Sequence, residues 1–251
     1  MTSMGRAYSV AALAMAIVTG GAMPAQAQPA KADQKWSADF AIGFDNGISG
    51  HINASGIGTI DDQVAVITKN SYDDVYGNGL HLRFGGGYML NEDTEIRGAF
   101  SFQSLDADFV VPMGDLGVSN LYGQFADYQT FNLDFGLRRY VDIRPKLKAY
   151  GEGTLGIGFV DQIDVTLVAP GANLAGKSTD FYDRTAAFTA GGNAGVMYQT
   201  GENVDVFVQL GLRYESGLAQ VDQLIGTGLG TINDKSSRWT MPLLAGVRLR
   251  F

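Results

Sequence analysis

Val204-Asp205-Val206-Phe207-Val208-Gln209-Leu210-Gly211-Leu212-Arg213-Tyr214-Glu215 is the stretch on which the reading of this chain turns. Val204, Val206, Val208, Leu210, Leu212 and Tyr214 fall on every second position, and Asp, Gln, Gly, Arg and Glu fill most of the positions between them. Side chains of a strand alternate between its faces, so this is a ribbon that is apolar on one side and ionic on the other. About ten residues of this kind is also the length a tilted strand needs to cross the hydrocarbon core of a bilayer.

The same period of two recurs along the chain. Upstream, Trp36, Ala38, Phe40, Ile42 and Phe44 share one face against Ser37, Asp39, Ala41, Gly43 and Asp45. Further alternating segments run over Leu80–Leu90, Glu95–Gln103, Thr130–Arg138, Leu147–Phe159, Ala186–Tyr198 and Arg238–Phe251, which with the two above makes eight. An even count is what single-chain barrels require. The connections alternate between short turns near 91–93, 141–146 and 200–203 and long excursions near 46–78, 104–128, 161–184 and 216–237. Outer-membrane barrels keep short turns on the periplasmic side and long loops outside. The expected fold is therefore all-β: an eight-stranded antiparallel up-and-down transmembrane β-barrel over residues 28–251, with both termini in the periplasm.

In a soluble barrel the apolar face would point inward. Here the polar face carries Asp39, Arg83, Glu95, Arg97, Asp134, Arg138, Lys148, Glu152, Asp205, Arg213, Arg248 and Arg250, with small residues between them, which suits a narrow lumen filled by side chains. Arg83, Glu95, Arg97, Asp134, Arg138, Glu152, Asp205, Arg213 and Arg248 are the candidate lumen network, expected to pair because buried unpaired charge is expensive. Trp36, Tyr88 and Tyr198 at one end and Tyr214 and Trp239 at the other have the layout of two aromatic girdles. Arg139 is a misfit on the apolar face. It sits near a strand end, where it snorkels to the interface or a bulge near Tyr140 shifts the alternation.

At the N-terminus, Arg6, the apolar stretch Val10–Ala22 and the small-residue site Ala25-Gln26-Ala27 read as a signal peptide over residues 1–27, removed on export. The predicted location is the cell outer membrane, reached through the periplasm. No cysteine is present, so a disulfide framework, a thiolate metal site and a thiol nucleophile are all excluded. A net charge of −8 argues against nucleic-acid binding.

The export signal, the alternating strands, the short turns and the terminal strand Leu243-Leu244-Ala245-Gly246-Val247-Arg248-Leu249-Arg250-Phe251 resemble the small porin-like barrels of the opacity-protein and outer membrane protein A type. The resemblance covers essentially the whole mature chain, although its motif is architectural. It implies a C-terminal aromatic recognised by the barrel assembly machinery, the position held by Phe251, and the peptidoglycan-binding domain of some relatives is expected to be absent.

Two matches to nucleotide motifs are declined. Gly171-Ala172-Asn173-Leu174-Ala175-Gly176-Lys177-Ser178 fits G-x-x-x-x-G-K-S, but a phosphate loop needs a buried strand before it and a helix after it, so a flexible outer loop is expected. Gly151-Glu152-Gly153-Thr154-Leu155-Gly156 fits G-x-G-x-x-G inside an alternating strand, where the glycines are expected to allow curvature and a close neighbour. Asp61-Asp62, Asp73-Asp74, Asp106, Asp108 and Asp115 read as solvated acidic loops whose functional version is a divalent-ion bridge to lipopolysaccharide phosphates. His81 near the outer end of its strand is the only candidate for a rim general base, without a Ser two positions on, while His51 lies in the first excursion. No catalytic residue, cofactor or metal is expected. The expected role is structural or surface-interacting, in contact with outer-membrane lipids, lipopolysaccharide and a surface ligand; a small channel for ions or apolar solutes is the alternative, and a lipid-modifying enzyme ranks behind both.

Overall fold

A computed structural model describes residues 34–107, 110–221, 228–233 and 236–251. The export-signal reading of residues 1–27 and Asp108 lie outside the described residues. In chain order the strands are β1 (Trp36–Ser49), β2 (His51–Asn53), β3 (Gly56–Ile60), β4 (Gln63–Ile67) and β5 (Asn70–Ser71). A one-turn helix α1 (Tyr72–Val75) follows, then β6 (Gly79–Met89), β7 (Thr94–Leu105), β8 (Val111–Leu116), β9 (Ser119–Phe125), β10 (Tyr128–Arg144), β11 (Leu147–Val160) and β12 (Ile163–Ala169). The chain finishes with β13 (Leu174–Asp183), β14 (Thr185–Gln199), β15 (Val204–Glu215), β16 (Ala219–Gln220) and β17 (Arg238–Arg250). Among the described residues, no helix is long and apolar enough to cross a membrane.

Eight of these strands close a barrel in the order β1-β17-β15-β14-β11-β10-β7-β6, with β6 pairing back onto β1. Each pairs antiparallel with its neighbours, as an up-and-down barrel requires. The ribbon Val204–Glu215 lies between β14 and β17, with Val208 opposite Val196 and Ala245 and Gln209 opposite Gly195 and Leu244. Pro242, which has no N–H to give the ladder, falls where the β15–β17 pairing skips from Leu210↔Leu243 to Arg213↔Thr240.

Burial follows the period of two. In β10, Phe131, Leu133, Phe135 and Leu137 are exposed while Asn132, Asp134 and Arg138 are buried. Phe135 is 62% exposed and Arg138 0%, so the apolar face is the outside and the ionic face the lumen. Arg139 continues the alternation outward with no shift at Tyr140; the irregularity of this hairpin lies between Asp142 and Arg144, and Arg139 pairs with Asp93 of the adjacent turn at 3.2 Å.

The long excursions differ from the loops expected from the sequence. Three of them fold back as hairpins, and with β16 they make a second, seven-stranded sheet in the order β16-β13-β12-β9-β8-β4-β3. This layer has its own core, including Ile67, Met113, Leu116, Leu121, Phe125, Val165 and Phe181, continuous with Tyr72, Tyr76 and Tyr128 beneath it. Val165, Leu167 and Ala169 alternate as the barrel strands do, but their apolar face meets other hairpins instead of lipid. The segment Gly171–Ser178 is part of the β12–β13 hairpin, turned by a 3-10 helix over Pro170–Ala172 and a left-handed Asn173, rather than a flexible loop. Asp61 and Asp62 hold positive φ of 48° and 64° between β3 and β4, the two-residue turn whose twist matches a hairpin.

Candidate functional site

Alternation puts the even-numbered ionic residues of β10, β11 and β17 and the odd-numbered ones of β6, β7 and β15 into the lumen, where all nine candidate network residues are buried. Strand register then decides which of them meet. Glu152 on β11 sits among three guanidiniums: it accepts from Arg83 and from Arg138, whose Nε lies 2.7 Å away, and Arg97 Nε is at 3.6 Å. Arg97 also binds Asp39 on β1 and reaches Glu95 at 3.4 Å. Glu95 in turn accepts from Ser37 at 2.6 Å, Tyr140 at 2.5 Å and Arg248 at 2.7 Å. Arg248 also donates to the Tyr140 hydroxyl, so the phenol links cation to carboxylate.

Arg213 and Asp134 form a separate two-pronged pair at 2.9 and 3.3 Å, to which Thr189 adds a hydrogen bond at 3.1 Å. The planar guanidinium fork matches the carboxylate, the geometry in which such a pair is strongest. Asp205 belongs to a different place: its partner is Arg250 at 3.0 Å, at the end of the barrel that carries the short turns. A cavity of about 570 Å³ opens at that end, with Lys35, Glu92, Lys146, Lys148, Asp205, Arg248 and Arg250 in its lining.

Toward the layer the lumen holds residues absent from the candidate network. Arg238 is wholly buried over the rings of Tyr128 (4.4 Å) and Tyr72 (5.7 Å), near enough to Asp45 and Glu215 for their charges to act on it. Glu215 accepts from the Tyr128 hydroxyl. His81 is 3% exposed, 3.9 Å from Asp45 and 3.4 Å from Gln103, inside the wall instead of at an accessible rim. Asp39, Asp45, Tyr140, Glu215 and Arg238 share the lumen parity of the named residues, which is the signal that points to them. Between Asp134, Arg213, Gln209 and His81 there is a void of about 20 Å³, room for roughly one water.

Outside the barrel, Trp36 and Tyr88 pack at 4.8 Å at the short-turn end and Tyr214 and Trp239 at 5.2 Å near the layer, while Tyr198 is exposed at the short-turn end. Phe251 is 63% exposed, and its backbone exchanges hydrogen bonds with Trp36 at 3.0 and 2.9 Å. The fingerprint glycines divide: Gly156 faces Leu133 O and the Asp134 carboxylate so closely that a Cβ would collide, whereas Gly151 and Gly153 face open space.

A closed sheet has no edge left to hydrogen-bond with water, and this one is apolar outside and ionic inside. Those properties define a transmembrane β-barrel of the small outer-membrane class. Solved structures with a similar chain path include neisserial surface protein A, at 15% identity over 86% of this chain and 97% of that one, with a TM-score of 0.43. Ail, the attachment invasion locus protein of Yersinia pestis, gives 15%, 86%, 99% and 0.37, and OprG from Pseudomonas aeruginosa 11%, 87%, 97% and 0.38. At these identities and TM-scores the likenesses decide nothing about function. No protein-family model and no curated protein sequence matches the chain.

Proposed function

We propose that this chain is an outer-membrane anchor that presents a folded β layer at the cell surface for interaction with other molecules, its lumen sealed by ion pairs. With short turns inward, as is general for such barrels, the layer is extracellular and the 570 Å³ cavity opens to the periplasm. The observation that carries the reading is the packing of the lumen: between that cavity and the layer lie the Glu95, Glu152 and Asp134 clusters and a void of only about 20 Å³.

The excursions that build the layer bear Asp61, Asp62, Asp106, Asp115, Asp127, Asp161, Asp164, Asp180 and Asp183 against Lys69, Lys177 and Arg184. The layer's partners are therefore cationic, or are lipopolysaccharide phosphates bridged by divalent ions. Phe251 serves as the handle for the barrel assembly machinery, and the two aromatic clusters fix the barrel's depth between the headgroups. The reading is non-enzymatic: His81, the candidate for a rim general base, is buried among the lumen side chains.

Planar-bilayer recording of the purified chain tests the seal. The expected trace shows no steady conductance steps, and steps appear in a Glu152→Ala, Arg138→Ala double variant that empties the centre of the network. Steady steps in the unmodified chain that vanish on changing lumen arginines would replace the sealed anchor by a channel.

A further inference from the structure

The seven-stranded layer curls until its two ends approach each other. On its inner side β12 and β13 pair at Val165↔Thr179 and Leu167↔Lys177, and Thr59, Ile60 and Asp61 of the β3–β4 hairpin line the same space. Among the described residues no ladder joins β3 to β13 or β16. The contacts between these ends include an exposed ion pair, Lys177 Nζ to Asp61 Oδ1 at 2.5 Å, and residues 228–233. Ile232 O accepts from Ala54 N at 2.6 Å, and Asn233 donates to Phe181 O at 3.0 Å. Beneath this closure lies a cavity of about 180 Å³ walled by Ile67, Met113, Val165, Leu167, Phe181 and Ile232, with Thr59, Asp61, Lys177 and Thr179 at its mouth.

We infer that this cavity is a binding site for a small neutral apolar molecule of about the size of one hydrocarbon ring. Size comes first: an apolar cavity of roughly 150 Å³ stays dry and accepts benzene, and this one is slightly larger at about 180 Å³. Chemistry follows, because a wall of aliphatic, thioether and phenyl groups has no partners for the two to four hydrogen bonds a water requires. Charged ligands are disfavoured at the mouth, where Lys177 and Asp61 already neutralise each other. An acylated lipid exceeds the space several times over. The exposed ion pair is a weak latch, so ligand exchanges through the gap between β3 and β13. The site lies in the layer and is independent of whether the lumen conducts.

The test is methyl NMR of the full chain in lipid nanodiscs, titrated with toluene. Saturable shifts are expected at Ile67, Val165, Leu167 and Ile232, against a linear, non-saturating response at the outward-facing Leu133 and Ile157 that reports partition into lipid. Leu167→Phe fills the cavity and weakens the saturable response at least tenfold, with unchanged barrel resonances reporting that it folds. Lys177→Met unlatches the mouth and speeds exchange severalfold at the same end point. A size series in the unmodified chain supplies an arm free of mutation: benzene saturates and pyrene does not. Cavity methyls that respond only as the lipid-facing ones do, a saturable response untouched by Leu167→Phe in a folded variant, or water contacts at Val165 and Leu167 without a toluene response would each overturn the inference.

Discussion

Glu152 concentrates the physics of the lumen in one carboxylate. Three arginines lean on it, and replacing it leaves Arg83 and Arg138 buried without their principal counter-charge. Breaking one member of a buried charge cluster typically costs about 3–5 kcal/mol, so Glu152→Gln is expected to destabilise the barrel by that amount in urea unfolding from lipid vesicles. A loss under about 1 kcal/mol would mean the lumen is wetter than described. Tyr140→Phe removes the hydroxyl shared by Glu95 and Arg248, and leaving those buried groups short of a partner is expected to cost about 1–3 kcal/mol in the same assay. The sequence marks these residues by parity alone. That suffices to put Glu152 and Arg213 inside, but the partner of each is set by strand register, which period-two patterning does not encode across long excursions. Asp205 shows the gap: its alternation is that of Arg213, yet it meets Arg250 at the barrel mouth.

Single elements separate local from tertiary control. The outward faces of the barrel strands are legible because lipid demands apolarity at every second position, and a charge there is penalised. Leu133→Arg, mid-strand on β10, is expected to cost about 2–4 kcal/mol, while Leu147→Arg at the strand end costs at most about 1 kcal/mol, both read from unfolding in vesicles. Helix α1 depends on local chemistry instead. Ser71 caps it by accepting from the Asp74 amide, and Asp74 accepts from the Ser71 backbone and hydroxyl. Those hydrogen bonds, the backbone one foremost, hold the Asp74 carboxyl below its ordinary range. A depressed folded value means the cap's contribution is complete above the ordinary carboxylate range and is lost as pH falls through the folded value. Protection of the Tyr72–Tyr76 amides, taken relative to their intrinsic exchange rates, is therefore expected to fall in acid; Ser71→Ala lessens that pH dependence, since the backbone bond to Asp74 stays, and removes about 1 kcal/mol of local protection, while Asp74→Asn abolishes the dependence. Asp73 runs the other way, raised first by its burial and then by its acidic neighbour, so the Asp74→Asn comparison is what isolates the cap.

At the scale of the whole molecule, the barrel was readable and the layer was not. Barrel strands face a solvent that imposes one rule along their full length. The hairpins β3–β4, β8–β9 and β12–β13 face one another, with short strands, a bulge at Pro112/Gly114 and aspartates at their turns, so their pattern resembles that of polar loops. The difference has an observable outcome. Protease treatment of intact cells is expected to cut at tips such as Asp61-Asp62, Gly117-Val118 and Pro170–Asn173, and to spare Val111–Leu116, Leu121–Phe125 and Ile163–Ala169, which loose loops would expose.

The order of the layer follows the order of the barrel: β3 and β4 rise after β1, β8 and β9 after β7, β12 and β13 after β11, and β16 before β17. Among the described residues the layer lacks a ladder between β3 and β16, and that gap consequently stands above the junction of the first and last barrel strands. A nascent barrel in which that junction is still unzipped, with β17 not yet joined to β1, can carry every strand ladder of its layer, both opening like a book along one spine. Closing the book completes the wall in a single swing without unpicking anything already built above it.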